Sequence, residues 1–415
     1  MSYDVLIVGG GPSGSVAAAN LMGSGLHVCI LDRARFPRLK PCGGGISCRA
    51  YKRLPYLADV LRSVPTNLVH RLVFEAPSGD AVEFTSDEPL YAMIRRIELD
   101  HALIKHVVAG GVELREDVTV ARVEVLPEGV RVHSTAGEVF EAKLLIGADG
   151  VNSIVAVQAG LRGPWPLDRL AMDGTEESPL MAPETLQTGL HMRQDTMYVY
   201  YGRGGAYGYG YLFPKATHVN FGIGYRLDYM RQHIHEKPAA QHEEFLDQLK
   251  LRGVVEGASQ HENFHPWVLP VGGPMERLST ERVLVAGDAA GFVNGFTAEG
   301  IYYAMVSGEL AGKAALAALR ENDLSATSLL RYDRACEAEL GYELRKSVDL
   351  QRRLMKEPRL MDSVVRFAQC SPAARRLLCA YGVGKIGYRE MKRRALREAL
   401  PAFLRYQVEK LWARV

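Results

Sequence analysis

Residues 3–32 read YDVLIVGGGPSGSVAAANLMGSGLHVCILD, and this stretch decides the fold. Residues 3–8 are apolar except for Asp4 and predict a short buried strand. Residues 15–22 are rich in Ala and predict a helix, and residues 27–31 predict a second buried strand. A strand, a Gly-rich turn, a helix and a further strand are typical of the first half of a nucleotide-binding α/β fold.

The turn between the first strand and the helix carries the motif Gly9-x-Gly11-x-x-Gly14. In such motifs the first glycine allows a tight turn, the second lets the backbone approach a pyrophosphate, and the third lets helix and strand pack closely. The helix N-terminus offers unpaired N–H groups and the positive end of a dipole to the phosphates. Asp32 follows the second strand, where an acid accepts hydrogen bonds from a ribose. The motif therefore predicts a dinucleotide site.

Two later segments repeat the combination of a buried strand and a Gly-rich turn. Residues 144–146 predict a strand that ends in GADG at 147–150. Residues 283–286 predict another strand that ends in GDAAG at 287–291, and a long helix is expected from about residue 299 to 320. One such turn is weak evidence, but three that each follow a buried strand indicate a single extended site.

The rest of the chain divides by pattern. Aromatic-rich alternating segments between residues 167 and 271 predict a separate, largely antiparallel sheet. After residue 329 the pattern is helical, with breaks near Pro358, Pro372 and residues 382–387. The further segments are a helix at residues 99–108 and strands at 118–125, 130–133, 138–142, 197–201, 207–213 and 219–225.

Composition indicates a soluble protein. The net charge is +2, and 47% of residues are hydrophobic and 24% charged. Six cysteines without CxxC spacing indicate a reducing compartment, and no histidine spacing predicts a metal site. The chain shows neither a signal peptide nor an uncharged run long enough to span a bilayer, so we expect a cytoplasmic protein. We also expect no nucleic-acid partner. Residues 343–415 are strongly basic, which indicates either a solvated helical face or contact with an anionic surface.

The three ordered motifs resemble the FAD-binding set of the para-hydroxybenzoate-hydroxylase-like flavoproteins, over roughly residues 1–335. The resemblance implies that FAD lies extended across the sheet, that Asp32 holds the adenosine ribose and that Asp288 holds the ribityl chain. It also implies that Asp149 lies near the first Gly-rich loop, and that Arg96 contacts the cofactor where it opens a helix. The family often has Arg where Ala156 stands. The implied cofactor positions are Gly9, Gly11, Gly14, Asp32, Arg33, Cys42, Gly43, Gly44, Arg96, Val120, Asp149, Gly150, Gly287, Asp288, Gly295, Ala298, Gly300 and Ile301.

Four further stretches resemble the geranylgeranyl reductase family, in which a flavin passes hydride to isolated prenyl double bonds. They are PRLKPCGGG at 37–45, YGYLFP at 209–214, GIG at 222–224 and GDAAGFVNGFTAEGI at 287–301. The family commonly has Trp where Tyr211 stands and a small residue or Gly where Ala298 stands. The implied substrate pocket consists of Gly45, Tyr209, Tyr211, Phe213 and Pro214.

Cys42, Tyr209 and Tyr211 are the catalytic candidates. Cys42 lies in a Gly-rich loop beside Lys40, where positive charge favours thiolate, and it either protonates the substrate or shapes the site. Alternation along residues 207–213 puts the aromatic side chains on one face of a strand, which suits an apolar pocket beside a flavin. Tyr198 and Tyr200 are expected to be core packing.

The predicted architecture is α/β: a Rossmann-like FAD-binding domain, an inserted mostly antiparallel β-sheet substrate domain, and a C-terminal basic helical region. The first comprises residues 1–70, 95–165 and 276–335, the second 71–94 and 166–275, and the third 336–415. The expected substrate is a prenyl-chain lipid. A single dinucleotide loop implies a transient external reductant, either NADPH or a small electron carrier such as a donor protein. Residues 388–415 suit peripheral contact at the inner membrane face.

Three other functions share the cofactor motifs. An FAD-dependent hydroxylase or halogenase of an aromatic or polyketide substrate needs oxygen activation, and the halogenase Trp-x-Trp-x-Ile-Pro segment is absent. An electron-transfer flavoprotein to quinone usually brings an iron–sulfur cysteine cluster, which is also absent. A flavin-binding protein without turnover is disfavoured by Cys42 and the aromatic motif.

Overall fold

The structure is a computed structural model that describes residues 2–180, 186–203 and 205–399. In chain order its strands are β1 (Ser2–Val8), β2 (Val28–Leu31), β3 (Gly45–Ser47), β4 (Asn67–Val69), β5 (Arg71–Glu75), β6 (Ala81–Thr85), β7 (Tyr91–Met93), β8 (Glu113–Arg115), β9 (Val120–Leu126), β10 (Gly129–Ser134), β11 (Val139–Gly147), β12 (Leu170–Pro179), β13 (Gln187–Thr188), β14 (Thr196–Tyr201), β15 (Gly208–Pro214), β16 (His218–Arg226), β17 (Val255–Glu256), β18 (Phe264–Pro270), β19 (Ser279–Thr280) and β20 (Val283–Val285). Its α-helices are α1 (Pro12–Ala19), α2 (Arg49–Arg53), α3 (Leu57–Val60), α4 (Arg96–Ala109), α5 (Ile154–Gln158), α6 (Leu227–His233), α7 (Pro238–Leu251), α8 (Ile301–Glu321), α9 (Ala326–Cys336), α10 (Tyr342–Leu350), α11 (Pro358–Cys370), α12 (Pro372–Gly382) and α13 (Tyr388–Arg394).

The first sheet has the strand order β19-β20-β11-β1-β2-β8, and its central pairs are parallel. Helices α1 and α8 pack closely beside it, because Gly308 and Gly312 of α8 lie against the backbone of α1. A Cβ at Gly308 would lie 2.2 Å from the Ser13 carbonyl oxygen. The predicted Rossmann-like sheet is confirmed.

One prediction about this sheet was wrong. Residues 138–142 and 144–146 were expected to be separate strands, but they form the single strand β11. Its first half pairs antiparallel with β10 and its second half parallel with β1, so exposed Lys143 interrupts the apolar pattern without ending the strand.

The second sheet has the order β18-β12-β16-β15-β14-β5-β6 and is antiparallel except for the β14–β5 pair. The predicted antiparallel sheet is therefore confirmed. Strand β7, which the prediction grouped with β5 and β6, instead pairs with β3 and β4 in a three-stranded sheet. The division into three domains stays a prediction.

The C-terminal helices cover part of the second sheet. Met361 and Val365 of α11 and Tyr381 of α12 share an apolar core with Phe74 of β5 and Tyr201 of β14. The predicted breaks near Pro358 and Pro372 coincide with the starts of α11 and α12, where proline is favourable. Among the described residues, no helix combines the length and apolar character that a membrane crossing requires.

Candidate active site

A cavity of about 470 Å³ extends from the first Gly-rich turn, across the aromatic strand β15, to the C-terminal helices. Most of the residues predicted for the site line it. They are Gly9, Gly11, Asp32, Arg33, Cys42, Gly43, Gly44, Gly45, Arg96, Val120, Asp149, Gly150, Tyr209, Tyr211, Phe213, Asp288, Gly295, Ala298, Gly300 and Ile301.

Three predicted site residues lie outside the cavity lining. Gly14 packs on the first turn, where a Cβ would lie 1.9 Å from the Gly9 carbonyl oxygen. Gly287 has a φ of +65°, and a Cβ there would lie 2.6 Å from Ser13 Oγ. Pro214 follows Phe213 in β15, so strand alternation turns it to the opposite face. The first two glycines allow close packing of the motifs.

The first turn leaves an open space above its backbone. Gly9 has a φ of +103°, and a Cβ there would lie 2.3 Å from the Ala148 carbonyl oxygen. Gly11 differs, because a Cβ would meet no protein atom nearer than 3.7 Å. Asp32 braces the turn by accepting the Gly10 N–H at 2.8 Å. The second glycine therefore faces the cavity, where a phosphate can approach α1.

Asp149 stabilises the second motif from within the protein. Its carboxylate accepts the N–H groups of Ile154 at 2.8 Å and Val155 at 3.2 Å, together with the Ser153 hydroxyl. Burial raises the pKa of this carboxyl group. Its backbone lies against Gly9, as predicted, but its carboxylate caps α5 and is fully occupied.

Asp288 has the opposite character. The half-buried carboxylate lines the cavity and makes no hydrogen bond or ion pair with any residue that the structure describes. Gly300, at the start of α8, lies beside it, because a Cβ there would be 3.6 Å from Asp288 Oδ1. Asp288 is therefore a free acceptor for a hydroxyl-bearing ligand.

Carboxylates hold two of the arginines that line the cavity, and an aromatic ring lies beside its lysine. Arg96 begins α4, as predicted, and donates two hydrogen bonds of 2.8 Å to buried Asp100. Arg38 lies 3.1 Å from Asp100 and 3.7 Å from Asp32. Lys40 lies 4.1 Å from the centre of the Trp267 ring, and burial lowers the pKa of its ammonium group to about 8.

Arg162 links two of the Gly-rich motifs through contacts that the sequence did not predict. Ala156 stands where related flavoproteins often have Arg, and its N–H is bonded to the Ser153 hydroxyl that caps α5. Arg162 instead donates to the carbonyl oxygens of Val151 at 2.9 Å and Ala289 at 3.4 Å. It thus joins the second motif to the third, although its spacing from Ser153 gave no signal in the sequence.

The loop that contains Cys42 packs under the aromatic strand. The Gly44 N–H donates to Cys42 Sγ at 3.4 Å, and a Cβ at Gly44 would lie 2.1 Å from the Ile94 carbonyl oxygen. A Cβ at Gly43 would lie 2.7 Å from the Phe213 ring. Fully buried Lys215 supports the loop from behind. The loop has no spare space on its protein side.

The apolar wall of the cavity comes from three neighbouring strands, β15, β14 and β5. Tyr209, Tyr211 and Phe213 of β15, and Tyr207 just before it, all face the cavity, as the alternation predicted. The sequence did not identify a second set, which lies on β5 and β14 and consists of Leu72, Phe74, Met197, Val199 and Tyr201. Tyr198 and Tyr200 pack on the opposite side of the sheet, as predicted.

An acid that the sequence did not single out lies beside this wall. Asp173 of β12 lines the cavity and accepts a hydrogen bond of 2.9 Å from the Tyr211 hydroxyl through Oδ2. Strand β16 separates the two, but Gly222 and Gly224 leave it without side chains there. A Cβ at Gly222 would lie 2.3 Å from the Tyr211 hydroxyl oxygen. The GIG segment thus lets two side chains meet across an intervening strand.

The C-terminal helices complete the cavity. Met355 and Gly382 line it, and Gln351 donates a 2.6 Å hydrogen bond to the Gly295 carbonyl oxygen. Gly295 also donates its N–H to the Ser347 hydroxyl at 2.8 Å, and a Cβ there would lie 3.0 Å from Val348. Gly295 therefore both lines the cavity and packs closely on α10.

Ala298 explains one feature of the third motif. It has a φ of +57°, in the left-handed region that favours glycine. The small residue or Gly expected at this position is therefore a backbone requirement.

In the described part of the chain, no cluster of His, Cys, Asp and Glu could hold a metal ion.

These features fit FAD. An open glycine at a helix N-terminus suits a pyrophosphate, and a free carboxylate on the third motif suits the hydroxyl groups of a linker. Both line the same cavity. Fold and site together define an FAD-dependent flavoprotein.

The comparisons with known proteins agree. A family model described as FAD binding domain matches residues 2–339. Digeranylgeranylglycerophospholipid reductase 2 of Methanothermobacter thermautotrophicus is 30% identical over 85% of this chain and 88% of its own length. Geranylgeranyl diphosphate reductase of Rhodobacter capsulatus is 30% identical over 80% of this chain and 79% of its own. A geranylgeranyl bacteriochlorophyll reductase-like structure from Thermoplasma acidophilum has a TM-score of 0.77 at 22% identity, over 88% of this chain and 91% of its own. The chain belongs to the geranylgeranyl reductase family of FAD-binding flavoproteins.

Proposed function

We propose that this protein is an FAD-dependent reductase that saturates isolated C=C bonds of a geranylgeranyl-type prenyl chain. The observation that carries the proposal is the continuous cavity, which joins the FAD motifs to a wall of aromatic and aliphatic side chains. The named relatives support the substrate class, since one reduces a prenylated phospholipid and the other a prenyl diphosphate by name.

FAD would be held by backbone N–H groups and carboxylates at one end of the cavity. The N–H groups around Gly11 and the α1 N-terminus would bind the pyrophosphate, Asp32 the adenosine ribose and Asp288 the ribityl hydroxyls. The start of α8, a 21-residue helix, would stabilise negative charge near the ring. Bound FAD, once reduced, supplies hydride to the alkene.

The prenyl chain would lie against β14 and β15. Tyr209, Tyr211 and Phe213 provide flat surfaces, while Met197 and Val199 provide the aliphatic part of the wall. An unactivated alkene is a poor hydride acceptor, so alignment and protonation must contribute much of the rate.

Cys42 has two roles open to it. It can donate a proton to the alkene, or it can hold the loop under β15 through the hydrogen bond from Gly44 to its sulfur. The hydrogen bond from the Gly44 N–H to the Cys42 sulfur supports the second role.

A single-turnover experiment tests the proposal. The purified holoenzyme is reduced with dithionite without oxygen and mixed with geranylgeranyl diphosphate or a prenylated quinone. We expect reoxidation of the flavin together with product masses that rise by about 2 Da for each saturated bond.

Two outcomes would reject the reductase. Flavin that stays reduced with every prenyl substrate, yet reoxidises productively with oxygen and an aromatic compound, would favour a hydroxylase or halogenase. Reoxidation by a quinone without saturation of its prenyl chain would favour an electron-transfer flavoprotein.

Chain length gives a second prediction. Replacing Val199 by Phe would add a ring on the cavity side of β14 and shorten the pocket. We expect KM for a twenty-carbon prenyl substrate to rise about tenfold or more, which corresponds to about 1.4 kcal/mol of lost binding, with a smaller rise for a ten-carbon one. Tyr198→Phe, on the other face of the strand, is the matched control, and equal effects of both variants would contradict this placement.

Two parts of the proposal concern partners. The external reductant is NADPH or a small electron carrier, such as a donor protein, since one dinucleotide loop serves the FAD.

Peripheral contact with an anionic membrane is proposed for residues 388–415, supported by the basic residues Arg389, Lys392, Arg393 and Arg394 of α13. Residues 400–415 lie outside the described part of the chain.

A further inference from the structure

We propose that Asp173 is the general acid of the reduction and that the Tyr211 hydroxyl holds its carboxyl group in position. The inference rests on the proposed function, and it names the proton donor that saturation of an isolated alkene requires. Asp173 belongs to none of the sequence motifs and lies on β12.

The geometry of Asp173 separates its two oxygens. Oδ2 is engaged by Tyr211, whereas Oδ1 is buried and has no hydrogen-bond partner among the described residues. A buried carboxylate oxygen without a partner is costly, and protonation removes much of that cost. The residue lines the cavity beside Tyr209 and Tyr211, where the prenyl chain is expected.

The charges around the carboxyl group leave it poised to titrate. Burial raises the pKa of Asp173 to about 7, against the hydrogen bond from Tyr211 and the positive charge of Lys40, which both lower it. A group with this pKa holds a proton in part of the molecules at neutral pH and can release it. The neighbours that face the carboxyl group are Tyr209 and Tyr211 from β15, Lys40 from the loop after β2, and the non-titrating residues Gly224 from β16 and Trp267 from β18.

Saturation of the alkene uses one hydride and one proton. Hydride, which carries two electrons, forms a C–H bond at one alkene carbon while the π bond breaks. The proton on Asp173 forms the C–H bond at the other carbon, and Asp173 is left as a carboxylate. The alkene is reduced, the flavin is oxidised, and water returns a proton to Asp173 before the next turnover.

The test compares Asp173→Asn with the wild type in the anaerobic single-turnover assay, with geranylgeranyl diphosphate as the probe. We expect the rate of alkene reduction to fall at least about 100-fold, the typical contribution of a positioned acid. FAD content and substrate affinity should change little, because Asn has the same shape. Asp247→Asn, an exposed aspartate on α7, is the matched control and should react like the wild type.

The rate of alkene reduction should fall as the pH rises. The wild-type rate should be level below about pH 7 and fall tenfold per pH unit above it, because the donor must be protonated. Tyr211→Phe removes a hydrogen bond that favours the carboxylate, so the fall should move to higher pH. A merely structural role for Tyr211 would lower the rate at every pH without moving the profile.

A readout without turnover completes the test. Infrared difference spectra of the oxidised holoenzyme across neutral pH should contain a protonated-carboxyl band that titrates near pH 7 and is absent from Asp173→Asn. If the band persists in that variant, or if the variant reduces the alkene within about threefold of wild type, the proposal is overturned.

The two proposals fail in different ways. A wild-type enzyme that saturates no prenyl bond overturns the proposed function, and with it the role of Asp173. A wild-type enzyme that works, combined with an active Asp173→Asn and an inactive Cys42→Ala, keeps the function and assigns the proton to Cys42.

Discussion

Replacing Gly11 by Ala is expected to weaken FAD binding about 10-fold to 100-fold while leaving the stability of the FAD-free protein unchanged. The added methyl group would meet no protein atom nearer than 3.7 Å, so the fold has room for it. It would project into the space where the pyrophosphate approaches the backbone, and overlap of this kind costs about 1–3 kcal/mol. Equilibrium titration of the FAD-free protein with FAD measures the effect.

Gly14→Ala is the matched variant in the same motif. Its methyl group would lie 1.9 Å from the Gly9 carbonyl oxygen, so the clash is within the protein. We expect the free energy of unfolding of the FAD-free protein to fall by about 3 kcal/mol, the upper end for overpacking. Equal stability of the two FAD-free variants in denaturant would contradict the assignment of Gly11 to the ligand and Gly14 to packing.

Replacing Arg49 by Met is expected to lower the free energy of unfolding by about 3–5 kcal/mol, because it leaves a buried carboxylate without its partner. Arg49 Nη2 lies 2.5 Å from Glu299, whose side chain is only 7% exposed. The same guanidinium packs 3.9 Å from the centre of the Tyr302 ring and donates to the Gly384 carbonyl oxygen at 3.4 Å. Urea denaturation of the holoenzyme measures the loss.

The loss should depend on pH in one direction. Burial raises the pKa of Glu299, so the folded protein favours its protonated form more than the unfolded chain does. Without Arg49, stability should therefore fall further as the pH rises and the carboxylate ionises. Arg35→Met is the control, because its pair with Asp117 is largely exposed and solvent screens it, so its loss should change stability little. A similar small loss in both variants would contradict a structural role for the buried pair.

Local patterns predicted the parts of the fold that depend on near neighbours. The first turn, the strands around it and the proline-started helices α11 and α12 follow from periodicity, glycine and proline positions. Strand β11 was divided in two because exposed Lys143 breaks the apolar run, while the continuity of the strand comes from β1 and β10 on either side.

The site required information that only strand register supplies. Asp173 meets Tyr211 because Gly222 and Gly224 clear the strand between them, and no spacing along the chain encodes that meeting. The contact of Gly295 with Ser347 was missed for a similar reason, since Ser347 lies on a helix whose docking depends on long-range packing.

The region matched by the FAD-binding family model ends at residue 339, before the cavity wall is complete. Gln351, Met355 and Gly382, which close that wall, belong to the chain that follows. The cavity is therefore bounded by residues on both sides of that limit, since β14 and β15 lie within the matched region. Substitutions at Met355 or Gly382 would change the cavity wall and leave the residues of the three Gly-rich motifs as they are, so the shape of the pocket can vary without any change in those motifs.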